Sequence, residues 1–160
     1  MLKIGFIGCG NMGGAIARGL ARSAKDVTIA VSNPTTGKLD KLKAEFPAIE
    51  TTTDNVAAAN DAAIIVIAVK PWLVEQVIKE IEPRAPQVLV SVAAGIDTVD
   101  LERMTGETGM TIFKVIPNTA ISLMQSTTLV ASRNATAGQE EMMLSLFSAM
   151  GETFLIPEKQ

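Results

Sequence analysis

The 160-residue chain contains no histidine and no tyrosine, one cysteine and one tryptophan. Without histidine it can build no imidazole general acid–base pair, no histidine-ligated metal site and no Ser-His-Asp triad. A single cysteine, Cys9, forms no internal disulfide, which fits a reducing compartment and predicts a cytoplasmic location. No apolar stretch reaches the roughly 18 residues a spanning helix needs. The sequence opens directly on a strand pattern, which predicts no secretory leader and no membrane partner. Basic runs are missing too. With a net charge of −3 and a pI near 5.0, the chain lacks the phosphate-neutralising patch that nucleic-acid binding uses. What is abundant is hydrophobic residues, 48% of the total, enough for one domain with a sizeable core.

The most informative segment is Ile4-Gly5-Phe6-Ile7-Gly8-Cys9-Gly10-Asn11-Met12-Gly13-Gly14. A short apolar strand runs into Gly8-x-Gly10-x-x-Gly13, and a helical pattern opens at once. This is the phosphate-cradling turn of a dinucleotide-binding βαβ unit. Gly8 permits the tight turn, Gly10 lets backbone approach a pyrophosphate, and Gly13 lets the helix sit close to the strand. The helix N-terminus offers unpaired N–H groups and the positive end of its dipole. Cys9, inside this loop, reads as a small tolerated residue rather than a nucleophile.

Strand and helix patterns alternate along the rest of the chain. This predicts an α/β fold of the Rossmann type: a doubly wound, mainly parallel sheet with helices on both faces. Predicted strands are 3–8, 27–31, 49–51, 62–69, 87–93, 110–116, 127–132 and 154–156. Predicted helices are 11–23, 35–46, 54–60, 71–81, 97–104 and 136–150. Asp54 and Asp97 read as N-caps, and Thr136 with Gln139 as a capping box. Residues 1–156 form the dinucleotide-binding domain in this reading, and 157–160 begin a linker.

In such sheets the ligand lies beyond the carboxyl ends of the strands. Those ends are 8–12, Ser32 to Thr36, Lys70-Pro71, Ala93-Ala94-Gly95 and Pro117-Asn118-Thr119. An NAD site usually places an acid after the second strand. Here the residues are Ser32 and Asn33, followed by Thr35, Thr36 and Lys38. These predict hydrogen-bond donors and a cation for a 2′-phosphate, and hence NADP (NADPH over NADH). The small residues at 93–95 admit a ring. Lys70 reads as a cation near cofactor or substrate, or as a solvated residue beside a proline. Trp72 follows it closely enough to sit near a bound nicotinamide.

Four segments, Ile4 to Ile16, Ala68-Val69-Lys70-Pro71, Ser91 to Ile96 and Val115-Ile116-Pro117-Asn118-Thr119, together resemble the pyrroline-5-carboxylate reductase family. The resemblance covers nearly the whole chain. It implies hydride transfer from NAD(P)H to the cyclic imine of Δ1-pyrroline-5-carboxylate to give proline, the last step of proline biosynthesis. It implies cofactor contacts at Ile7, Gly8, Cys9, Gly10, Asn11, Met12, Ser32, Asn33, Asn55, Ala68, Val69, Lys70, Pro71, Ala93, Ala94 and Gly95. Asn55 enters only through this comparison; from the residues alone it reads as helix-capping. No catalytic residue and no metal ligand is implied within the chain. Where the family has Arg-x-Met-Pro-Asn-Thr-Pro, this sequence has Lys114 to Ala120, and a later family glycine is absent from 121–126. Family members continue into an all-helical domain that forms a homodimer or larger assembly and holds the substrate carboxylate. That implies a cofactor-binding domain inactive alone. Two other readings keep the cofactor site: a non-catalytic dinucleotide-binding protein, and a domain of a 3-hydroxyacid-type dehydrogenase. Lys70-Pro71 and Pro117-Asn118-Thr119 argue against the second.

Overall fold

In the computed structural model, residues 2–24, 26–106, 109–116, 126–148 and 151–156 are described. The strands are β1 (Leu2–Ile7), β2 (Val27–Ser32), β3 (Glu50–Thr52), β4 (Ile64–Ile67), β5 (Val88–Ser91), β6 (Ile112–Ile116), β7 (Ser126–Arg133) and β8 (Gly151–Leu155). The helices are α1 (Asn11–Ser23), α2 (Gly37–Glu45), α3 (Asn55–Ala59), α4 (Val74–Ile81), α5 (Thr98–Thr105) and α6 (Ala137–Ser148), with a 3-10 turn at Pro71–Leu73. The strands form one sheet in the order β3-β2-β1-β4-β5-β6-β7-β8. It is parallel from β3 through β6; β7 is antiparallel to β6, and β8 is parallel to β7.

Alternation along the strands divides the core in two, as the period of 2 requires. Ile4, Phe6, Ile64, Val66, Val88 and Val90 face one layer with Ile16 and Leu20 of α1, Leu42 of α2 and Phe147 of α6. Ile7, Ile65, Ile67 and Leu89 face the other, with Ala58 of α3, Ile78 of α4 and Leu101 of α5. The central strands are therefore apolar on both faces, which is why the run at 62–69 reads as continuous. The strand itself is shorter, 64–67, although Ala63 and Ala68 at its two ends still donate to the Lys3 and Ile7 carbonyls of β1 at 2.9 and 2.8 Å. The expected caps form: Asp54 accepts from Val56 N–H at 3.0 Å and Asp97 from Asp100 N–H at 2.9 Å. Thr136 and Gln139 bond reciprocally, at 2.9 and 3.1 Å. Helix α2 starts later than Thr35 because the Asn33 carboxamide donates to the Thr35 carbonyl and hydroxyl, holding those residues in a turn.

At the opposite end of the sheet Glu102 of α5 ties three segments together. Its carboxylate accepts from Gly109 N–H, from Arg133 Nε of β7 and from Asn134 Nδ2. These bonds, the Gly109 amide foremost, hold the carboxyl below its ordinary 4.5. The stabilisation is complete above the unfolded-state value and is lost as pH falls through the lower folded-state value. Glu102→Gln is expected to lower Tm near pH 7, since one amide oxygen cannot satisfy three donors. Near the acid limit, where Glu102 is itself neutral, the difference is expected to vanish. Thermal melts of both proteins across pH 2–7 check this; a constant gap would mean the charge contributes nothing.

Candidate functional site

Strand order along the sheet reverses between β1 and β4, and a cleft of about 490 Å³ opens at their carboxyl ends, within the range of small-ligand pockets. Two loops define it. The first, Gly8 to Met12, leaves β1 and enters α1. Gly8 has φ +106°, and a Cβ there would sit 2.7 Å from the Ala68 carbonyl oxygen. A Cβ on Gly13 would lie 2.6 Å from the Gly8 carbonyl oxygen and 2.9 Å from Ala68 Cβ. These two glycines pack backbone against backbone. Gly10 differs: nothing lies within 4 Å of where its Cβ would point. Its missing side chain leaves space in the cleft wall, and no side chain caps the helix that begins there. Open space beside uncapped first-turn N–H groups is what a pyrophosphate needs. The residues present therefore fit a dinucleotide.

The second loop follows β2 and holds the first in place. Gly8 N–H donates to the Ser32 carbonyl at 2.9 Å, and Cys9 N–H to Asn33 Oδ1 at 3.1 Å. Ser32 is 0% exposed, and its hydroxyl donates to Asn55 Oδ1 at 2.7 Å. Its proton is spent inside the protein, while the half-buried Asn33 carboxamide accepts from Cys9 and donates within its own turn. The phosphate-facing donor expected at Ser32 is thus turned inward, and the Asn33 carboxamide, at the cleft wall, is engaged within its own loops. The charge on this side comes from Lys38, which lines the cleft; Thr35 and Thr36 are exposed beside it.

Of the expected cofactor contacts, Gly8, Cys9, Gly10, Asn11, Met12, Asn33, Ala68, Val69, Lys70, Pro71, Ala93 and Ala94 line this cleft. Ile7 is buried beneath the loop, and Ser32, Asn55 and Gly95 stand behind or beside the lining. Pro34, Leu73 and Val92 line it without having been singled out. Leu73 is legible only once the 3-10 turn brings it round beside Lys70. Trp72, expected near the nicotinamide, is 75% exposed and lies outside the lining, flanked by Pro71 and Leu73, which are part of it. Pro117, Asn118 and Thr119, and the linker at 157–160, lie outside the described residues.

Charge and reactivity follow from these positions. Among the described residues the lining carries two lysines, Lys38 and Lys70, and no acid. Burial raises the Cys9 thiol's pKa, against the opposing fields of Arg18 and Lys38. Cys9 is 2% exposed, so it packs as a neutral small residue, and a nucleophilic role has no support. No cluster of potential metal-binding groups occurs among the described residues, and no helix there is long and apolar enough to cross a membrane.

Comparison with known proteins agrees with this geometry. The family described as NADP oxidoreductase, coenzyme F420-dependent, matches residues 3–95. A pyrroline-5-carboxylate reductase of Pseudomonas aeruginosa is 34% identical over 153 residues, covering 93% of this chain and 55% of the relative. The structure of a pyrroline-5-carboxylate reductase from Coxiella burnetii superposes with a TM-score of 0.88 at 30% identity, over 96% of this chain and 58% of that one. The Plasmodium falciparum enzyme, crystallised with NADP bound, superposes with a TM-score of 0.86 at 27% identity, over 99% and 58%. The chain thus spans little more than half the length of these relatives.

Proposed function

The chain belongs to the NADP oxidoreductase, coenzyme F420-dependent family, and from that premise we propose that it is the dinucleotide-binding part of a pyrroline-5-carboxylate reductase, with NADPH as preferred cofactor. Residues 1–156 are the cofactor-binding unit in this reading, acting in the cytoplasm. The substrate's carboxylate contacts and the dimer interface belong to sequence that the relatives have beyond the matched part. The observation that carries the proposal is the cleft itself: open space at Gly10, an uncapped helix start and two lysines with no acid.

The roles of the chain's residues follow. Gly10, Asn11 and Met12 receive the pyrophosphate by backbone N–H groups. Lys38 supports a 2′-phosphate, where an acid would repel it. Ala68 to Pro71 and Ala93 to Gly95 form the facing wall. Their small side chains at 93 and 94 leave room for a nicotinamide and a five-membered ring. Lys70, exposed at the rim, offers a cation to an anionic group on that side. When bound, reduced nicotinamide supplies the hydride that an imine carbon accepts. The protein's part is to hold ring and cofactor in register and to exclude the wrong geometry.

Two measurements test this. Titration of the chain with NADPH and NADH, read by energy transfer from Trp72, is expected to give saturable binding that favours NADPH. A chimera carrying residues 1–156 in place of the matched part of the Pseudomonas aeruginosa enzyme is expected to consume NADPH only when pyrroline-5-carboxylate is present. Absence of binding to either dinucleotide would overturn the cofactor reading. Binding without turnover in the folded chimera would favour a non-catalytic dinucleotide-binding protein.

A further inference from the structure

Glu80 lies on α4, outside the cleft, yet its carboxylate is joined to the cleft's supporting loop by two short hydrogen bonds. Asn55 Nδ2 donates to Glu80 Oε1 at 2.7 Å, and Ser32 Oγ donates to Asn55 Oδ1 at 2.7 Å. The Ser32 carbonyl in turn accepts from Gly8 N–H at 2.9 Å. The series runs from α4 through the start of α3 to the carboxyl end of β2 and into the glycine loop. Among the described residues Glu80 makes no ion pair; its neighbour Lys79 pairs with Glu75.

The direction of both side-chain hydrogen bonds in this series is set at its outer end. An ionised carboxylate accepts and never donates, so the Asn55 amide must present Nδ2 to Glu80. Its Oδ1 is then turned to Ser32, and only a donating hydroxyl satisfies it. Without Glu80 the amide has two usable orientations. With Nδ2 turned to Ser32, the hydroxyl must release its proton elsewhere, toward the Phe6 carbonyl 3.4 Å away. Ser32 is fully buried, so it has no water to fall back on. The side-chain support between β2, α3 and the Phe6 carbonyl at the end of β1 would then exist in two hydrogen-bond polarities in place of one.

We propose that Glu80 is a positioning residue for dinucleotide binding: its carboxylate fixes the Asn55 amide, which orients Ser32 and so holds the glycine loop in a single arrangement. The inference rests on the dinucleotide reading of the cleft. It acts on the part of the site that serves NADPH and NADH alike, so it predicts equal losses for both.

The test compares wild type, Glu80→Ala, Asn55→Ala and the double variant, each titrated with NADPH and with NADH. Glu80→Ala is expected to weaken both about twofold, the effect of splitting one amide orientation into two of equal population, leaving their ratio unchanged. The double variant is expected to bind no worse than Asn55→Ala, because Glu80 acts through Asn55. In the ligand-free protein, the Asn55 side-chain amide resonances are expected to shift in Glu80→Ala while Tm stays close to wild type. Unchanged affinity in Glu80→Ala, or losses that add in the double variant, would overturn the inference while leaving the cleft's function intact. A wild-type chain that binds neither dinucleotide would instead overturn both, a result read before any variant is made.

Discussion

Gly10→Ala is expected to weaken NADPH binding more than tenfold without lowering Tm, whereas Gly13→Ala is expected to lose binding and stability together. Both glycines belong to one motif, and both substitutions add one methyl group. They differ in what the methyl meets. At Gly10 the backbone has φ −78° and ψ −165°, which any residue adopts, and nothing lies within 4 Å of the new Cβ. Folding has no objection, and the reduced freedom of the unfolded chain favours alanine slightly. The methyl instead occupies space where a pyrophosphate approaches the backbone. At Gly13 the methyl would lie 2.6 Å from the Gly8 carbonyl oxygen. Neither backbone can move without pulling α1 away from β1 and β4. Overpacking of that kind costs about 1–3 kcal/mol, and for a domain of this size about 2–4 °C of Tm per kcal/mol. Thermal melts with parallel NADPH titrations separate the two cases. Wild-type affinity in Gly10→Ala would mean that the open space is not the ligand's.

That contrast also marks how far the sequence can be read. The glycine motif is local: strand, turn and helix follow within a dozen residues, and each glycine's role is set by neighbours in the chain or by the one strand that must lie alongside. The strands were legible for the same reason, since a short, bounded apolar run rich in β-branched residues needs no distant information. Ser32 was not. Its hydroxyl looks like a phosphate donor because it follows β2, but it is fully buried and donates to Asn55, a residue on another element. Asn55 itself reads as a cap from its position after Asp54. The cap is Asp54, and Asn55 bridges β2 to α4. Only the folded sheet brings Glu80 within reach of either. The antiparallel turn of β7 was likewise hidden: strand composition does not carry direction, and the residues between β6 and β7 hold no signal for it.

With the Ser32 hydroxyl turned inward and the Asn33 carboxamide engaged within its own loops, the proposed cofactor preference rests on Lys38, and its replacement is expected to change that preference more than any other single substitution. Lys38→Ala should weaken NADPH binding about tenfold and NADH binding little; Lys38→Glu should reverse the order of the two. A lysine facing a doubly charged phosphate across a solvent-exposed gap gains roughly 1–2 kcal/mol, which is about the tenfold factor. Lys38 lines the cleft close to Cys9, and its field opposes the burial that raises the thiol's pKa, so its charge already acts on the glycine loop. Among the described lining residues the only other cation is Lys70, which follows β4 and not β2. The proposed preference for NADPH should also fall at high salt, since an exposed pair is screened more than an NADH contact made by backbone N–H groups. The measurement is the ratio of the two dissociation constants, in wild type and both variants, at low and high ionic strength. A ratio that ignores Lys38 would place the 2′-phosphate elsewhere and remove the ground for choosing NADPH. A ratio that follows Lys38 but not salt would mean that the pair is shielded from solvent in the complex, so that the gap between them is not open to water.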